Sequence, residues 1–446
     1  MTARIREAFL ACALVMPAAA ATPPPATITL LCGALFDAPS GRRLGAHAID
    51  IAGDAITAVR PGSAVAPGAK AIDLTRHTCM PGWIDLHTHL TVQVGAHPIE
   101  MLVRTNPADS ALRDAAHARR TLQAGFTTVR DLGDLDGSSI ALRNAIRAGL
   151  VEGPRVFAAG RALGATGGHA DYTNGLADRF QGTEGPVEGI VDSPADAVRA
   201  VRERFKAGAD VIKVMATGGV LSLERDAGHA HLRMDELTAV VDTAHSLDMK
   251  VAAHAHGTEG VRFAVDAGVD SIEHATFVDD ATLQAMHRRG TWLVPTAIAA
   301  RYVMEQARRP GAYPDVIRAK AMEIDGRRRE VIARAGRAGV RIAFGSDAGA
   351  IPHGANAGEF EELVAAGLTP AQALQAATVR AAELLDEPRL GRIAPGAYAD
   401  VVAVAGDPLL DIRLTQAPAF VMKDGRVARL SDCPSTADGA TRLDTP

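Results

Sequence analysis

The chain has 446 residues, of which 47% are hydrophobic and 22% charged, a balance typical of folded globular proteins. Its length exceeds that of one ordinary core, but it suits a barrel of roughly 250 to 400 residues plus a small companion domain. The formal net charge is −5, and no basic cluster interleaved with aromatic residues occurs, which argues against nucleic acid as a partner.

The N-terminus has the pattern of a secretory signal peptide. Arg4 and Arg6 precede an apolar run over residues 8–15, and residues 18–21 supply an Ala-x-Ala cleavage pattern. The run is too short to span a bilayer, and a mobile N-terminal helix is the alternative interpretation. We therefore expect residues 1–21 to be removed and the mature protein to lie in the periplasm or outside the cell.

Cleavage would leave three cysteines, Cys32, Cys79 and Cys433, so at most one internal disulfide can form. Export permits a disulfide, and buried free thiols are an equally good alternative. The chain has no Cys-x-x-Cys pair, which argues against a metal site made of thiolates.

Short β-type runs punctuated by turn residues occur near both ends of the chain. They lie at residues 28–31, 48–51, 55–59, 399–404 and 421–427. The sequence Lys423-Asp424-Gly425, flanked by apolar residues, predicts a hairpin turn. Because the ends of a domain often lie close together, we expect residues 22–80 and 391–446 to form two parts of one discontinuous β-sandwich.

Between these segments, over residues 81–390, short apolar strands alternate with helical patterns. The eight predicted strands are residues 82–87, 127–132, 155–159, 211–215, 251–254, 271–274, 292–295 and 342–346. Thr369-Pro370 is a typical helix start, with a capping threonine before proline at the first helical position. Alternation of strand and helix implies a parallel sheet, and eight units imply closure. The expected fold class is α/β, a (β/α)₈ TIM barrel with the small β-sandwich attached.

Histidines follow three of the predicted strands, at the end where barrels of this kind carry their active sites. His87 and His89 close the first strand, and alternation of side chains puts both imidazoles on one side, where they can hold one ion. A lone His-x-His is usually incidental, and a lone strand-end histidine is usually a core residue. His254 and His256 on the fifth strand, together with His274 on the sixth, indicate a second ion.

Two further residues at strand ends have chemistry that fits such a centre. Lys213 lies in an otherwise apolar strand, where burial lowers the pKa of an ammonium and a neutral amine can add carbon dioxide to form a carbamate. An ion pair with a carboxylate such as Asp85 is the alternative. Asp347, after the eighth strand, can bind a metal and accept the proton of an attacking water. The alternative is that Asp347 caps the N-terminus of a helix.

These strand-end residues and the paired end segments resemble the amidohydrolase superfamily, more narrowly its imidazolonepropionase-like and prolidase-like branch. The six residues that carry the resemblance are His87, His89, Lys213, His254, His274 and Asp347. That branch includes dipeptidases, carboxypeptidase-type amidases and ochratoxin-hydrolysing enzymes.

The resemblance implies two divalent ions, zinc by expectation. One would be held by His87, His89 and Asp347. The other would be held by His254 and His274, with Lys213 bridging the pair as a carbamate formed from carbon dioxide. It also implies that His256 lies near the substrate carbonyl and that Asp347 is catalytic.

Loops after the third and fourth strands are expected to contact the substrate. In the loop after the Lys213 strand, Arg225 is our first choice to bind a carboxylate through a bidentate pair, with His169 and Tyr172 from the preceding loop assisting. A solvated surface loop is the alternative. The expected substrate is a small molecule with an amide beside a carboxylate, such as a dipeptide, an N-acyl amino acid or an ochratoxin-like amide. The aromatic content of 4% argues against an extended aromatic cleft for polymers.

Three other functions stay open at this point: hydrolysis of a cyclic C–N bond, an isomerisation or decarboxylation, and a barrel without activity that serves as a binding protein. Detection of a released amine and a metal count would separate them. We expect Ser222 and Ser346 to be structural residues rather than nucleophiles. We also expect a homo-oligomer without a membrane span.

Overall fold

A computed structural model describes residues 26–94, 104–182, 184–225, 227–324 and 326–431. The expected signal peptide and Cys433 lie outside these residues. Among the residues described, no helix has both the length and the apolar character needed to cross a membrane.

The N-terminal part of the described chain is made of strands. They are β1 (Ile28–Asp37), β2 (Arg42–Leu44), β3 (His47–Ala52), β4 (Ala55–Pro61) and β5 (Lys70–Pro81). β1 pairs with β3 in antiparallel and with β5 in parallel orientation. A disulfide joins Cys32 on β1 to Cys79 on β5, so the cysteines left open by the sequence are bonded to each other.

We expect the double variant Cys32→Ala/Cys79→Ala to unfold at a lower urea concentration than the oxidised protein. The bond closes a loop of 47 residues, and loop-closure entropy predicts a loss of about 2–4 kcal/mol in the free energy of unfolding. Cys433→Ala is the control and should leave the urea midpoint unchanged. If the oxidised protein and the double variant unfold at the same midpoint, the disulfide contributes nothing to stability.

Seven parallel strands follow, arranged in two sheets. β6 (Trp83–Thr88), β7 (Phe126–Asp131) and β8 (Arg155–Ala158) form one sheet. The other contains β9 (Val211–Met215), β10 (Lys250–Ala255), β11 (Ser271–His274) and β12 (Trp292–Val294). Each end of these strands lies within one residue of the predicted end, because continuous apolar runs bounded by turn residues identify buried parallel strands well.

Helices connect the strands. They are α1 (Pro107–Gln123), α2 (Ser138–Arg147), α3 (Pro194–Ala207), α4 (Met234–His245), α5 (Thr258–Ala267), α6 (Asp280–Arg289), α7 (Ala297–Ala307), α8 (Asp315–Ile324), α9 (Arg328–Arg337), α10 (Gly358–Ala365), α11 (Pro370–Ala376) and α12 (Val379–Leu384). The predicted start of α11 is confirmed: the Thr369 side chain accepts a hydrogen bond from the Gln372 N–H, and Pro370 is the first helical residue.

The eighth predicted strand, residues 342–346, does not form a regular ladder. On one side the Ala343 N–H donates to the Leu293 carbonyl of β12 at 3.0 Å, and on the other the Leu86 N–H of β6 donates to the Phe344 carbonyl at 2.9 Å. The Phe344 N–H, however, donates to the Ala376 carbonyl of α11 at 3.1 Å. This diversion of one donor explains why the segment contacts both parallel sheets without being a full strand of either.

The chain then returns to the N-terminal strands. β13 (Val401–Ala405), β14 (Phe420–Lys423) and β15 (Arg426–Leu430) complete an eight-stranded mixed sheet with the order β15-β14-β13-β5-β1-β3-β4, in which β2 pairs with β1. The predicted hairpin is confirmed, because Asp424 (φ 48°) and Gly425 (φ 73°) connect β14 to β15. Both ends of the described chain therefore lie in one sheet, which leads directly from β5 into the histidine-bearing β6.

Candidate functional site

A cavity of about 510 Å³ opens at the carboxyl ends of the parallel strands, within the size range of small-molecule sites. Seven polar residues from the strand ends lie together in its wall. They are His87, His89, Lys213, His254, His256, His274 and Asp347. The structure thus brings together all the residues that the sequence predicted as metal ligands.

His87, His89 and Asp347 form the first group that could hold a metal ion. The Nε2 atoms of His87 and His89 lie 3.6 and 3.4 Å from the same Asp347 oxygen. The His87 Nδ1 lies 2.8 Å from a Glu273 carboxylate oxygen, and the His89 Nδ1 lies 3.0 Å from the Gly133 carbonyl. Because carboxylates and carbonyls only accept, both rings donate from Nδ1 and turn Nε2 toward Asp347. Burial opposes protonation of His89, but the Asp347 carboxylate outweighs it and raises the pKa of His89.

His254, His256 and His274 form the second group. Burial lowers the pKa of His256 to about 3 and the pKa values of the other two well below the usual range. All three imidazoles are therefore neutral and have a lone pair for a cation. The His254 Nε2 lies 3.1 Å from the Gly218 carbonyl, which leaves Nδ1 for a cation. His256, which the sequence assigned to the substrate, also lies within reach of a metal here.

Threonine hydroxyls position two of these rings, and three residues of the site have positive φ angles. The His274 Nδ1 lies 2.6 Å from the Thr296 Oγ1, and the His256 Nδ1 lies 2.8 Å from the Thr276 Oγ1. His274, Thr296 and Asp347 have φ angles of 71°, 52° and 59°, a region that non-glycine residues rarely adopt. Such backbone conformations concentrate at functional sites, where the surrounding structure enforces them.

Lys213, on β9, is 1% exposed, and burial lowers its pKa to about 8, against the opposing charges of Glu273 and Asp347. The alternative partner, Asp85, accepts hydrogen bonds from the Asn356 amide at 2.8 Å and from the backbone of the eighth predicted strand. A lysine of lowered pKa among neutral imidazoles and one carboxylate has the donor chemistry of a centre for divalent cations. The residues present fit such a centre.

Glu273 is a site residue that sequence reasoning missed. It is fully buried, it accepts from the His87 Nδ1, and its other oxygen lies 2.9 Å from the Arg130 Nη2. Burial opposes its ionisation, but the Arg130 charge and the His87 hydrogen bond outweigh this and lower its pKa to about 2. A charged residue inside an apolar strand, directly before His274, was the signal that could have identified it.

The predicted substrate-binding residues divide into two sets. His169 and Tyr172 line the cavity, whereas Arg225 is exposed and is not among the described residues that line it. The structure therefore brings His169 and Tyr172 to the cavity and leaves Arg225 outside the described lining, where its role in substrate binding stays a prediction.

His169 is held by residues of that same loop. Its Nδ1 lies 2.7 Å from the Ser222 Oγ, and the Ser222 hydroxyl also bonds to the Glu224 carboxylate. Since a carboxylate only accepts, the serine donates to Glu224 and His169 must donate from Nδ1. The His169 Nε2 therefore carries a lone pair, and its ring centroid lies 4.5 Å from that of His254. Ser222 orients a histidine in this arrangement, as expected of a structural serine.

We expect Lys320→Met to loosen this loop and to destabilise the protein by roughly 3 kcal/mol, because three carbonyls, one of them buried, lose their donor. The buried Lys320 Nζ on α8 donates to the carbonyls of Gly219, Ser222 and Glu224 at 2.6, 2.8 and 2.9 Å. Urea unfolding measures the effect, with the exposed Lys206→Met as the matched control. Equal urea midpoints for Lys320→Met and wild type would contradict this role.

The chain is also similar to known proteins. The family model described as "Amidohydrolase family" matches residues 78–430. The ochratoxinase of Aspergillus niger is 32% identical over 357 residues, which cover 77% of this chain and 73% of that protein. The imidazolonepropionase of Nocardia farcinica is 27% identical over 358 residues, which cover 75% of this chain and 79% of that protein.

A solved structure described as a Xaa-Pro dipeptidase with methionine bound in the active site is also similar. It superposes with a TM-score of 0.87 at 38% sequence identity, and the match covers 90% of this chain and 99% of that one. The mixed α/β fold seen here matches that structure over almost its whole length.

Proposed function

Because this chain belongs to the amidohydrolase family, we propose that it is a metal-dependent hydrolase that cleaves an amide bond in a small carboxylate-bearing substrate. Dipeptides, N-acyl amino acids and ochratoxin-like amides are the substrate types. The observation that carries the proposal is the pair of ligand groups in one cavity. The charge of Lys213 contributes to the lowered pKa of His87 in one group and of His274 in the other. The similarity to a Xaa-Pro dipeptidase with bound methionine supports an amide substrate that contains an amino acid.

The fold proposed with this function is a (β/α)₈ barrel over residues 81–390, with residues 22–80 and 391–446 as the attached sandwich. Residues 341–346 contact β12 and β6, as described above. On the other side, the Asp210 N–H donates to the Ala158 carbonyl at 2.8 Å, which connects the segments of β8 and β9. Hydrogen bonds between the two parallel sheets on both sides support closure.

Two divalent cations, zinc by preference for imidazole donors, are the proposed cofactors. His87, His89 and Asp347 would hold one, His254 and His274 the other, and Lys213, carboxylated by carbon dioxide, would contact both. When bound, such cations polarise the scissile carbonyl and lower the pKa of the attacking water.

The protein residues move the proton and stabilise the charge that develops. Burial opposes ionisation of Asp347, but His87 and His89 outweigh it and lower the pKa of its carboxyl, so Asp347 is ionised. As a carboxylate it has the oxygen needed to accept the proton of the attacking water and pass it to the leaving amine. If the Thr276 hydroxyl donates to the His256 Nδ1, then the His256 Nε2 carries a proton. That N–H can donate to the carbonyl oxygen as negative charge develops on it.

We expect His256→Ala to lower kcat by roughly 10²- to 10³-fold while both cations are retained, because it removes a donor to the carbonyl oxygen. Metal analysis and steady-state kinetics on the same preparation measure both quantities. His47→Ala, outside the cavity, is the control. Loss of one cation from His256→Ala would instead make His256 a ligand, an assignment that its distance to His254 and His274 permits.

The test of the function is a screen of dipeptides and N-acyl amino acids for release of free amine, together with a metal count. We expect about two divalent ions per chain and reversible loss of activity on chelation. Full activity in metal-free protein would contradict metal dependence. The similarity to imidazolonepropionase favours hydrolysis of a cyclic C–N bond as the second candidate. Ring opening without cleavage of any linear amide would support that candidate instead.

We also propose that the protein is exported to the periplasm or beyond. The signal-peptide pattern is the main support, and the bond between Cys32 and Cys79 suits an oxidising compartment. Intact-mass analysis of protein from its native host should show the chain beginning near Ala21 or Thr22, and retention of Met1 would contradict export. A homo-oligomer stays a prediction.

A further inference from the structure

The helix α7 begins at Ala297, and Thr296 before it stands where a threonine usually caps a helix. A capping hydroxyl accepts a hydrogen bond from an N–H of the first turn, but the Thr296 side chain accepts none. Its Oγ1 lies instead 2.6 Å from the Nδ1 of His274 in the second ligand group. The first N–H groups of α7 therefore need another acceptor, because buried backbone donors are rarely left unbonded.

Glu359, at the start of α10, supplies that acceptor. Its Oε1 accepts from the Ala297 N–H at 3.1 Å, and its Oε2 accepts from the Ile298 N–H at 2.7 Å. The residue is fully buried. Burial raises the pKa of its carboxyl well above the usual range, and the two backbone hydrogen bonds oppose this rise. A Cβ at Gly358 would lie 2.3 Å from the Ile298 Cδ1, so the glycine allows the start of α10 to lie this close to α7.

We propose that Glu359 caps α7 in place of Thr296 and thereby leaves the Thr296 hydroxyl to orient His274 for a cation. The bond to Nδ1 fixes the plane of the imidazole and leaves Nε2 for the cation. Thr296 has a φ of 52°, which a β-branched residue rarely adopts, so its surroundings must hold the backbone there. The bonds from Glu359 to the next two residues do so. Glu359 is thus a positioning residue for the second ligand group, and this inference rests on the proposed function.

Withdrawal of zinc from the loaded protein by a chromogenic chelator tests the role of Glu359. His254→Ala should abolish the release step of the second ligand group, which identifies that step in the wild type. We expect Glu359→Met to weaken zinc binding in this step by about 10- to 100-fold, because loss of a residue that orients a metal ligand costs about that much affinity. Binding in the step of the first group should not change. Equal dissociation constants for the second group in Glu359→Met and wild type would overturn the proposal.

Glu362→Met is the matched control. Glu362 lies three residues further along α10 and is equally buried, but it is bonded to Arg301 and Arg329 at 3.1 and 2.8 Å rather than to the start of α7. This variant should unfold at a lower urea concentration than the wild type and still release both cations as the wild type does. The same weakening of the second group in both variants would show that packing of α10 matters rather than capping, and would overturn the proposal.

Thr296→Val removes only the hydroxyl and tests whether Glu359 acts through it. We expect this variant to weaken the second group about as much as Glu359→Met does. The double variant should be no weaker than Thr296→Val alone, because both changes remove the same contact to His274. Additive losses would overturn the action through Thr296. Wild-type zinc binding in Thr296→Val would also overturn the proposal, even if Glu359→Met did not fold.

Zinc release needs no turnover, so it separates this inference from the proposed function. If the second group weakens as expected but no amide is cleaved by the wild type, the role of Glu359 stands and the reaction is wrong. If amides are cleaved and Glu359→Met releases zinc as the wild type does, the reaction stands and the role of Glu359 is wrong. A wild-type protein without a second release step would overturn both the role of Glu359 and the centre of two cations.

Discussion

Lys213→Ala is expected to lose bound metal and activity together, with kcat/KM falling at least about 10³-fold and metal content falling below the two ions of the wild type. The methyl group of alanine cannot form a carbamate. The variant therefore lacks the one residue that is proposed to contact both cations. Burial lowers the pKa of Lys213 to about 8, which increases the fraction of neutral amine that can add carbon dioxide. Elemental analysis and amine release on the same sample measure the outcome.

Added acetate provides the control for misfolding of Lys213→Ala. A small carboxylate has the two oxygens of a carbamate, so it should restore part of the metal content and part of the activity in a correctly folded variant. Full activity of Lys213→Ala without acetate would show that the bridging role is wrong.

The sequence predicted the strand ends well because two local signals coincided there. Continuous apolar runs located the buried strands, and a polar residue at the end of such a run is costly unless it has a partner. For example, side-chain alternation predicted that His87 and His89 lie on one side of their strand, and the structure groups them with Asp347. The eighth strand was different, because its irregularity comes from one N–H of Phe344 that donates to a helix more than thirty residues later. No local pattern encodes that contact.

The contacts that position the ligands were less accessible to sequence reasoning for the same reason. Glu273 on β11 contacts His87 on β6 and Arg130 on β7. Only the folded chain brings these three strands together. The polar loop around Arg225 had a suitable composition, but composition does not reveal which side of a loop faces a cavity. Lys320, which binds three carbonyls of this loop, lies almost a hundred residues further along the chain.

Asp347→Asn is the other variant with a large expected effect, and turnover should suffer far more than metal binding. We expect kcat to fall by roughly 10³-fold with KM changed only a fewfold, because the amide side chain cannot accept the proton of the attacking water. Its remaining oxygen can still contact a cation. Asparagine also tolerates the positive φ of 59° at this position, so the backbone should not change.

Asp386→Asn is a matched control for this variant, since Asp386 also has a positive φ, of 55°, and its side chain is 74% exposed in an ion pair with Lys250. It should retain both metal and turnover, which separates the backbone effect from the chemistry. If Asp347→Asn lost a cation in proportion to its activity, the carboxylate would matter as a ligand rather than as a proton acceptor. If kcat were unchanged with both cations bound, another group would have to accept the proton, and His169, whose Nε2 lone pair faces no hydroxyl or carboxylate described above, would be the first residue to substitute.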